Sequence, residues 1–160
     1  MDFRTEHRFA APPAAVAAVL RDPAFHLGLD LPDLGRPEIV DAAPDGSRLR
    51  LRYAWIGSLD PIARRLLGDR PPTWIQEMTL DPVTLTGTLA FAAEADPDRL
   101  NGDARVEIVA EGAGAVRRIA GRLRVRVPLV GSTAERRILP GLLRRLDVEA
   151  AAVGTTLTAS

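Results

Sequence analysis

The side chains that could carry chemistry in this sequence begin with two histidines. His7 lies in a segment where Phe3, Thr5, His7 and Phe9 alternate with charged residues. A histidine on the apolar face of a strand could donate a proton to a bound carbonyl group, because its ordinary pKa is close to neutrality. A buried histidine that only satisfies a local hydrogen bond is the commoner case. His7 is therefore the single catalytic candidate, while His26 is expected in a surface loop near the mouth of a ligand site.

Other catalytic and metal-binding patterns are absent from the sequence. The chain has no Cys, which excludes disulfides, thiolate metal ligands and thiol nucleophiles. Its histidines are far apart and have no nearby carboxylate cluster, which is a poor arrangement for zinc. No serine lies in a G-x-S-x-G context, and no phosphate-binding loop is found. The sequence therefore predicts neither a metal nor a cofactor.

A second set of candidates consists of large side chains on the middle strands of the chain. Alternation in residues 47–56 and 74–80 directs every second side chain inward, where it serves either as core or as the lining of a pocket. Gln76 shares this inward face and needs a partner, since an unpaired buried amide costs about 1–3 kcal/mol. Its amide would either form a hydrogen bond to the backbone at a strand edge or orient a ligand. The predicted ligand contacts are His7, Tyr53, Trp55, Trp74, Gln76, Met78 and Phe91 from the strands and Leu142 and Leu146 from the last helix.

Arginine is concentrated in residues 115–146, where nine Arg face a single acid, Glu135, in a chain of zero net charge. One interpretation is a site for an anionic lipid, a phosphate or RNA. The other is cross-strand pairing with Glu6, Glu107 and Glu111. Because the segment has no aromatic residue on which bases could stack, pairing is favoured and no nucleic-acid partner is predicted.

The hydrophobic pattern predicts the scaffold that must position these candidates. One strand comes first, two short helices follow within residues 14–27, six strands occupy residues 38–127, and a long helix comes last. Short hairpin connections make the sheet antiparallel. Most strands have one apolar face, so the long helix is expected to cover one side of a curved seven-stranded sheet. The fold class is therefore α+β, in a chain of 160 residues that suits one domain.

The last helix is predicted over residues 132–153. Ser132 and Glu135 have the spacing of a capping box, which indicates that the helix begins there. Pro140 falls on the solvent side, so we expect a bend that is convex toward solvent and not a break. Residues 154–160 are mostly small and polar and are expected to fray. The domain is accordingly assigned to residues 1–153.

Residues 57–72 interrupt the strands and form an insert with two open interpretations. Ile62, Leu66 and Leu67 could cover a cavity mouth as a lid, with Gly57 and Gly68 as hinges. The insert could equally be a fixed cap that completes the core. The sequence alone does not favour either.

The order of these elements resembles the START-like superfamily (SRPBCC, helix-grip fold), which includes polyketide cyclases, lipid-transfer domains and the birch-pollen allergen group. The opening strand, the segment Val127-Pro-Leu-Val-Gly131 and the helix after it resemble, more narrowly, a domain family of unknown function from high-GC bacteria. The resemblance extends over nearly the whole chain. It implies a hydrophobic cavity between sheet and helix, but no shared catalytic set.

Three functions are compatible with this sequence. The first is binding of a small hydrophobic ligand, lipid-like or polyketide-like. The second is an enzyme of the cyclase or hydratase type that uses His7 with Tyr53 or Gln76, and the third is an interaction module acting through the arginine-rich face. The balanced charge and the short, proline-interrupted apolar runs predict a cytoplasmic protein without stable membrane insertion. A monomer or weak homodimer is expected.

Overall fold

The computed structural model describes residues 1–61, 64, 65, 68 and 70–160, and the elements that position the site are one sheet, two short helices and a long C-terminal helix. The elements follow in the order β1 (Asp2–Phe9), α1 (Pro13–Arg21), α2 (Pro23–Leu27), β2 (Glu38–Ala42), β3 (Arg48–Ala54), β4 (Thr73–Leu80), β5 (Thr86–Ala93), β6 (Leu100–Glu111), β7 (Gly114–Val125) and α3 (Gly131–Thr158). This order confirms the predicted sequence of elements.

The sheet contains seven strands in the order β1-β7-β6-β5-β4-β3-β2. Every neighbouring pair is antiparallel, which confirms the predicted α+β class. Along β3, Leu49, Leu51 and Tyr53 are buried while the arginines between them are more exposed. One face of the sheet is therefore apolar and carries the helices, as the period-two pattern predicts.

Each of the two short helices begins at a proline, and one aspartate lies between them. Pro12 is the N-cap of α1, and Pro13 opens the helix with a backbone already suited to the first turn. The Asp22 carboxylate then accepts a hydrogen bond from the Ala24 amide at 2.9 Å and caps α2. Both helices contribute to the interior, because Leu20 of α1 and His26 of α2 are fully buried.

The long helix α3 begins and ends differently from the sequence prediction. Its N-cap is Val130, and no side chain caps it, so the predicted Ser132–Glu135 capping box is wrong. Because the helix already begins at Gly131, Ser132 lies inside the first turn. The Glu135 carboxylate instead accepts a hydrogen bond from the backbone amide of Val125 at 3.0 Å and thereby joins the helix to the end of β7.

The far end of α3 runs to Thr158, so residues 154–158, predicted to fray, are helical. Leu157 continues the apolar stripe and packs against the core. The hydroxyls of Thr155 and Thr156 donate to carbonyls one turn earlier. Pro140 lies inside the helix and is exposed, as predicted. The helix is continuous through it, and the predicted bend stays a prediction.

The interior between sheet and helices divides into two apolar clusters. The first, which we call the closed core, lies between α1, the C-terminal part of α3 and strands β1, β4, β5, β6 and β7. Its fully buried members include Val16, Ala17, Leu20, Ile119, Leu146 and Val153. The second, the aromatic cluster, lies against β3 and β4 and consists of Leu31, Leu34, Leu49, Leu51 and Tyr53, with Leu29, Trp55, Trp74 and Val148 packed on them.

The insert at residues 57–72 is described in part. Ile62, Leu66 and Leu67, on which the lid interpretation rests, lie outside the described residues. Asp60 is 3.7 Å from Arg137 of α3, which places the start of the insert beside the long helix. No helix in the described part of the chain is long and apolar enough to cross a membrane.

Candidate functional site

Ionisable side chains lie between the sheet and α3, in positions where water is largely excluded. Arg117 of β7 is 2 % exposed, and Arg145 and Glu149 of α3 are 7 % and 5 % exposed. Charged groups are almost never buried to this degree without partners. The partners of these three side chains therefore indicate whether this interior serves stability alone or also a ligand.

Arg145 extends from the middle of α3 to the strands of the aromatic cluster. One of its terminal nitrogens donates a hydrogen bond to the Gln76 side-chain oxygen on β4. Its guanidinium carbon lies 4.7 Å from the centre of the Tyr53 ring on β3, which is a cation–π distance. Because Gln76 and Tyr53 are both neutral, Arg145 has no carboxylate partner among the residues described.

A pair of stacked aromatic rings lies beside this guanidinium. Tyr53 and Trp74 face each other across β3 and β4, with ring centres 5.9 Å apart and planes at 21°. This offset-stacked arrangement is favourable for two aromatic rings. Trp55 lies in the same cluster, one inward position beyond Tyr53. The result is a flat aromatic surface on the sheet with a cation beside it.

Polar atoms without partners mark this region. Five buried side-chain atoms of the described residues make no hydrogen bond, and three of them belong to the aromatic cluster and its arginine: Tyr53 Oη, Trp55 Nε1 and Arg145 Nε. The other two are His26 Nδ1 and Arg117 Nε. Each unpaired buried polar group costs about 1–3 kcal/mol of stability, so such atoms are rare in the cores of native proteins.

Arg117 differs from Arg145 because it is paired. It donates to the Glu149 carboxylate at 2.5 Å, to the Leu146 backbone carbonyl at 3.4 Å and to His7 Nδ1 at 3.2 Å. These contacts join β7, β1 and the C-terminal half of α3. The buried pair thus fixes the helix on the side of the sheet where the closed core lies.

His7 is held on both ring nitrogens. Arginine can only donate, so Nδ1 accepts from Arg117 and carries no proton, while Nε2 donates to the exposed Asp147 carboxylate at 2.9 Å. Burial lowers the pKa of His7, the charge of Arg117 lowers it further, and the bond to Asp147 opposes both. The neutral form with the proton on Nε2 is therefore favoured, and neither nitrogen is free for a ligand in this arrangement.

The charge state of Glu149 follows from its neighbours. Complete burial works against ionisation, but the neighbouring side chains, Arg117 foremost, outweigh it and hold the pKa of Glu149 below its usual value. Tyr53 shows the opposite behaviour, since burial raises the pKa of its hydroxyl. The site thus contains one buried carboxylate, two guanidinium groups and a protonated phenol.

His26 is buried and not exposed as the sequence predicted. Its Nε2 donates to the Leu20 carbonyl at 2.7 Å, and Phe25 packs edge-on against its ring. The prediction was wrong because α2 turns back against the core directly after α1, so the side chain faces inward. His26 has no exposed position at a cavity mouth.

The predicted ligand contacts fall into different places. Tyr53, Trp55 and Trp74 lie in the aromatic cluster, and Tyr53 and Gln76 contact Arg145. Met78 and Leu146 belong to the closed core, and Leu142 packs on its margin. Phe91, the cross-strand neighbour of both Gln76 and Gly102, places its ring over the position that a Gly102 side chain would occupy.

Sequence reasoning missed the three buried charged residues, Arg117, Arg145 and Glu149. The signal was present, because Arg117 has the same strand parity as Ile119 and Leu123. Arg145 and Glu149 are one helical turn apart on the side of α3 that carries Leu146 and Ala150. Arg118, by contrast, pairs with Glu6 and Glu107 as predicted, whereas Glu111 pairs with Arg8.

Two surface clefts lie apart from this site. A cleft of about 450 Å³ is lined by Met1, Asp2, Glu135 and three arginines of residues 122–126. Another of about 400 Å³ lies between residues 18–23 and 42–49. Neither contains the unpaired atoms of the aromatic cluster. Within the described ranges, no three His, Asp or Glu side chains are grouped to hold a metal ion.

The sheet, the helix across it and the two helices after β1 define the α+β helix-grip fold. Within this class the chain belongs to the family described as "Protein of unknown function (DUF2505)", whose profile matches residues 4–157. No curated protein matches the chain.

Solved structures with the same fold are distant in sequence. The protein TTHA0849 from Thermus thermophilus is 18% identical with a TM-score of 0.69, covering 100% of this chain and 99% of that one. The Zhui aromatase/cyclase from a Streptomyces species is 14% identical with a TM-score of 0.66, covering 98% and 92%. A START superfamily protein from Mycobacterium smegmatis is 14% identical with a TM-score of 0.59, covering 99% and 97%. These similarities establish the fold.

Proposed function

We propose that this protein binds a small, predominantly apolar ligand between α3 and strands β3 and β4, at the aromatic cluster. The observation that carries the proposal is the set of unpaired buried polar atoms on Tyr53, Trp55 and Arg145. A core that serves stability alone satisfies such atoms or replaces them with apolar groups. A bound ligand would supply the missing partners.

The position of the helix supports this location. The backbone of α3 approaches β7, β1 and α1 most closely. On the β3 and β4 side, contact with the helix depends on the long Arg145 side chain and on Val148. An arginine can move its guanidinium by rotating its side chain, whereas close-packed leucines cannot move without strain. The aromatic cluster is therefore the part of the interior best able to admit a ligand.

The fold is compatible with this proposal. The structural neighbours include an aromatase/cyclase and a START superfamily protein, so the same scaffold can build an interior site. In this chain the stacked Tyr53 and Trp74 would provide apolar contact, and Gln76 and Arg145 would orient the ligand. Lipid-like and polyketide-like ligands both have the mainly apolar character required.

The chain offers a built-in reporter for binding, because its two tryptophans, Trp55 and Trp74, both lie in the aromatic cluster. Phenylnaphthylamine, an uncharged fluorescent probe, should quench their emission by energy transfer when it binds. Trp74→Ala should lower probe affinity about tenfold, since it removes aromatic contact equivalent to roughly 1.4 kcal/mol.

A matched control lies in the closed core. Phe9→Leu should lower stability and leave probe affinity unchanged, because Phe9 packs in the other cluster. Saturable energy transfer that responds to Trp74 and not to Phe9 would support the proposal. Absence of binding by this probe and by a series of fatty and aromatic compounds in native mass spectrometry would refute it.

Catalysis of the cyclase or hydratase type ranks below ligand binding. It requires His7 to donate a proton to a ligand, and both of its ring nitrogens are engaged by Arg117 and Asp147. The cytoplasmic location, the monomer or weak homodimer and the lack of a nucleic-acid partner stay predictions from the sequence.

A further inference from the structure

We infer that the ligand of the aromatic cluster is an acid: an aromatic or extended apolar molecule with a carboxylate or phenolate group that Arg145 and Tyr53 hold. The inference rests on the proposed function and specifies its ligand class. Three features of the site support it. They are the donor character of the unpaired polar atoms, the balance of buried charge, and the geometry of the aromatic surface.

The unpaired atoms of the aromatic cluster lack acceptors. Arg145 Nε and Trp55 Nε1 can only donate, and the Tyr53 hydroxyl, whose pKa is raised by burial, keeps its proton to donate. A hydrocarbon ligand would leave all three donors unpaired and desolvated. A ligand oxygen would accept from them, and an ionised oxygen would form charge-assisted hydrogen bonds that are roughly twice as strong as neutral ones.

The buried charges are unequal in number. Two guanidinium groups, Arg117 and Arg145, share one buried carboxylate, Glu149. That carboxylate is bonded to Arg117, and Arg145 reaches only the neutral Gln76 and Tyr53 side chains within the described chain. The charge of Arg145 helps to lower the pKa of Glu149, but among the described residues no carboxylate forms an ion pair with Arg145, and a buried cation without such a pair is strongly disfavoured. An anionic group on the ligand would complete the second pair, as Glu149 completes the first.

The geometry favours a planar ligand body next to the acid. Tyr53 and Trp74 form a stacked pair, and the guanidinium lies on the Tyr53 ring. Arg145 is fixed through Gln76, which leaves its Nε side unpaired. A ring system that lies along the aromatic surface would place an attached acid at the guanidinium. Arginine suits this role because its planar fork matches a carboxylate.

A matched pair of fluorescent probes tests the inference. Anilinonaphthalene sulfonate and phenylnaphthylamine share one ring system and differ by an anionic group. Energy transfer from Trp55 and Trp74 gives the affinity of each probe. Arg145→Gln should weaken binding of the sulfonate about ten- to a hundredfold, the value of a lost charge-assisted bond, and change binding of the neutral probe less than about threefold.

Arg144→Gln is the matched control, since Arg144 is the adjacent residue on α3 and its side chain is 64% exposed. It should affect both probes equally and little. Tyr53→Phe provides a second variant that keeps the ring and removes one donor. It should weaken the sulfonate about three- to tenfold and spare the neutral probe, and it remains informative if Arg145→Gln does not fold.

The outcomes separate the inference from the function on which it rests. A selective loss of sulfonate affinity in Arg145→Gln or Tyr53→Phe supports an acidic ligand. Equal affinities and equal losses for both probes overturn the acidic ligand and leave an apolar binding site intact. If neither probe receives energy from the tryptophans, the binding site itself is refuted.

Discussion

The closed core and the aromatic cluster share one sheet and one helix, but they treat a buried arginine in different ways. In the closed core, Arg117 has an ion pair with Glu149 and further bonds to His7 and a backbone carbonyl. In the aromatic cluster, Arg145 has only neutral partners among the described residues. The difference indicates that the buried arginine on one side has its carboxylate within the chain, while the buried arginine on the other side has no ion-pair partner among the described residues.

The largest expected effect comes from exchanging each arginine for glutamine. Arg117→Gln should lower the free energy of unfolding by about 3–5 kcal/mol, because it leaves Glu149 buried and unpaired. Arg145→Gln should cost about 1 kcal/mol or less, since no carboxylate loses an ion-pair partner and the lost hydrogen bond to Gln76 is offset by removal of a buried charge that has no ion pair. Chemical denaturation of both variants measures the difference. Equal losses would remove the contrast between the two regions.

Two fully buried leucines sharpen the comparison through packing. Leu20 in the closed core and Leu51 in the aromatic cluster are each 1% exposed, and truncation of either to Ala should cost about 2–5 kcal/mol. Only Leu51→Ala should change the affinity of phenylnaphthylamine. Thermal unfolding and probe titration of the two variants provide the test, and a probe response to Leu20→Ala would contradict the location of the site.

Stability on the closed-core side, where His7 contacts Arg117, should also depend on pH. The pKa of His7 in the folded state lies below the ordinary value of 6.5. Between these two pKa values, His7 is protonated in the unfolded chain and neutral in the folded chain. Stability is therefore complete above about pH 6.5 and falls as the pH decreases toward the folded pKa. Denaturation at a series of pH values should reveal this slope, and His7→Asn should flatten it. An unchanged slope in His7→Asn would assign the effect to other groups.

The smallest effect is expected at Tyr53. The proton of its buried hydroxyl has no acceptor among the described residues, and burial raises its pKa while the nearby Arg145 guanidinium opposes that rise. Tyr53→Phe should therefore change the free energy of unfolding by less than about 0.5 kcal/mol in either direction. A loss of about 1 kcal/mol or more in urea denaturation would mean that the hydroxyl is paired in the folded protein and unavailable to a ligand.

The scaffold was largely predictable because it depends on local periodicity. Alternation assigned the strands, and the apolar stripe of α3 assigned the long helix. The start of that helix was not predictable from Ser132 and Glu135, because Glu135 bonds to Val125, a partner supplied by the preceding strand. A capping motif in the sequence does not form a cap when one of its residues hydrogen-bonds to another part of the chain.

The candidate site was predictable only in its aromatic part. Tyr53, Trp55 and Trp74 are inward by alternation, and a Gln on the same face signals a buried hydrogen bond. Arg117 and Glu149 are separated by 32 residues, and nothing local links them. Charge normally indicates solvent exposure, and this expectation outweighed the helical spacing that places Arg145 and Glu149 on the side of α3 that carries Leu146 and Ala150.

The most direct test of an acid-binding aromatic cluster is a nitrogen-15 NMR titration with anilinonaphthalene sulfonate. The indole N–H signals of Trp55 and Trp74 and the Nε–H signals of the arginines report each region separately. We predict that the signals of Trp55 and Arg145 shift and saturate together, while the Nε–H signal of Arg117 stays in place. Shifts confined to exposed arginines, with both indole signals unchanged, would contradict a site between α3 and the sheet.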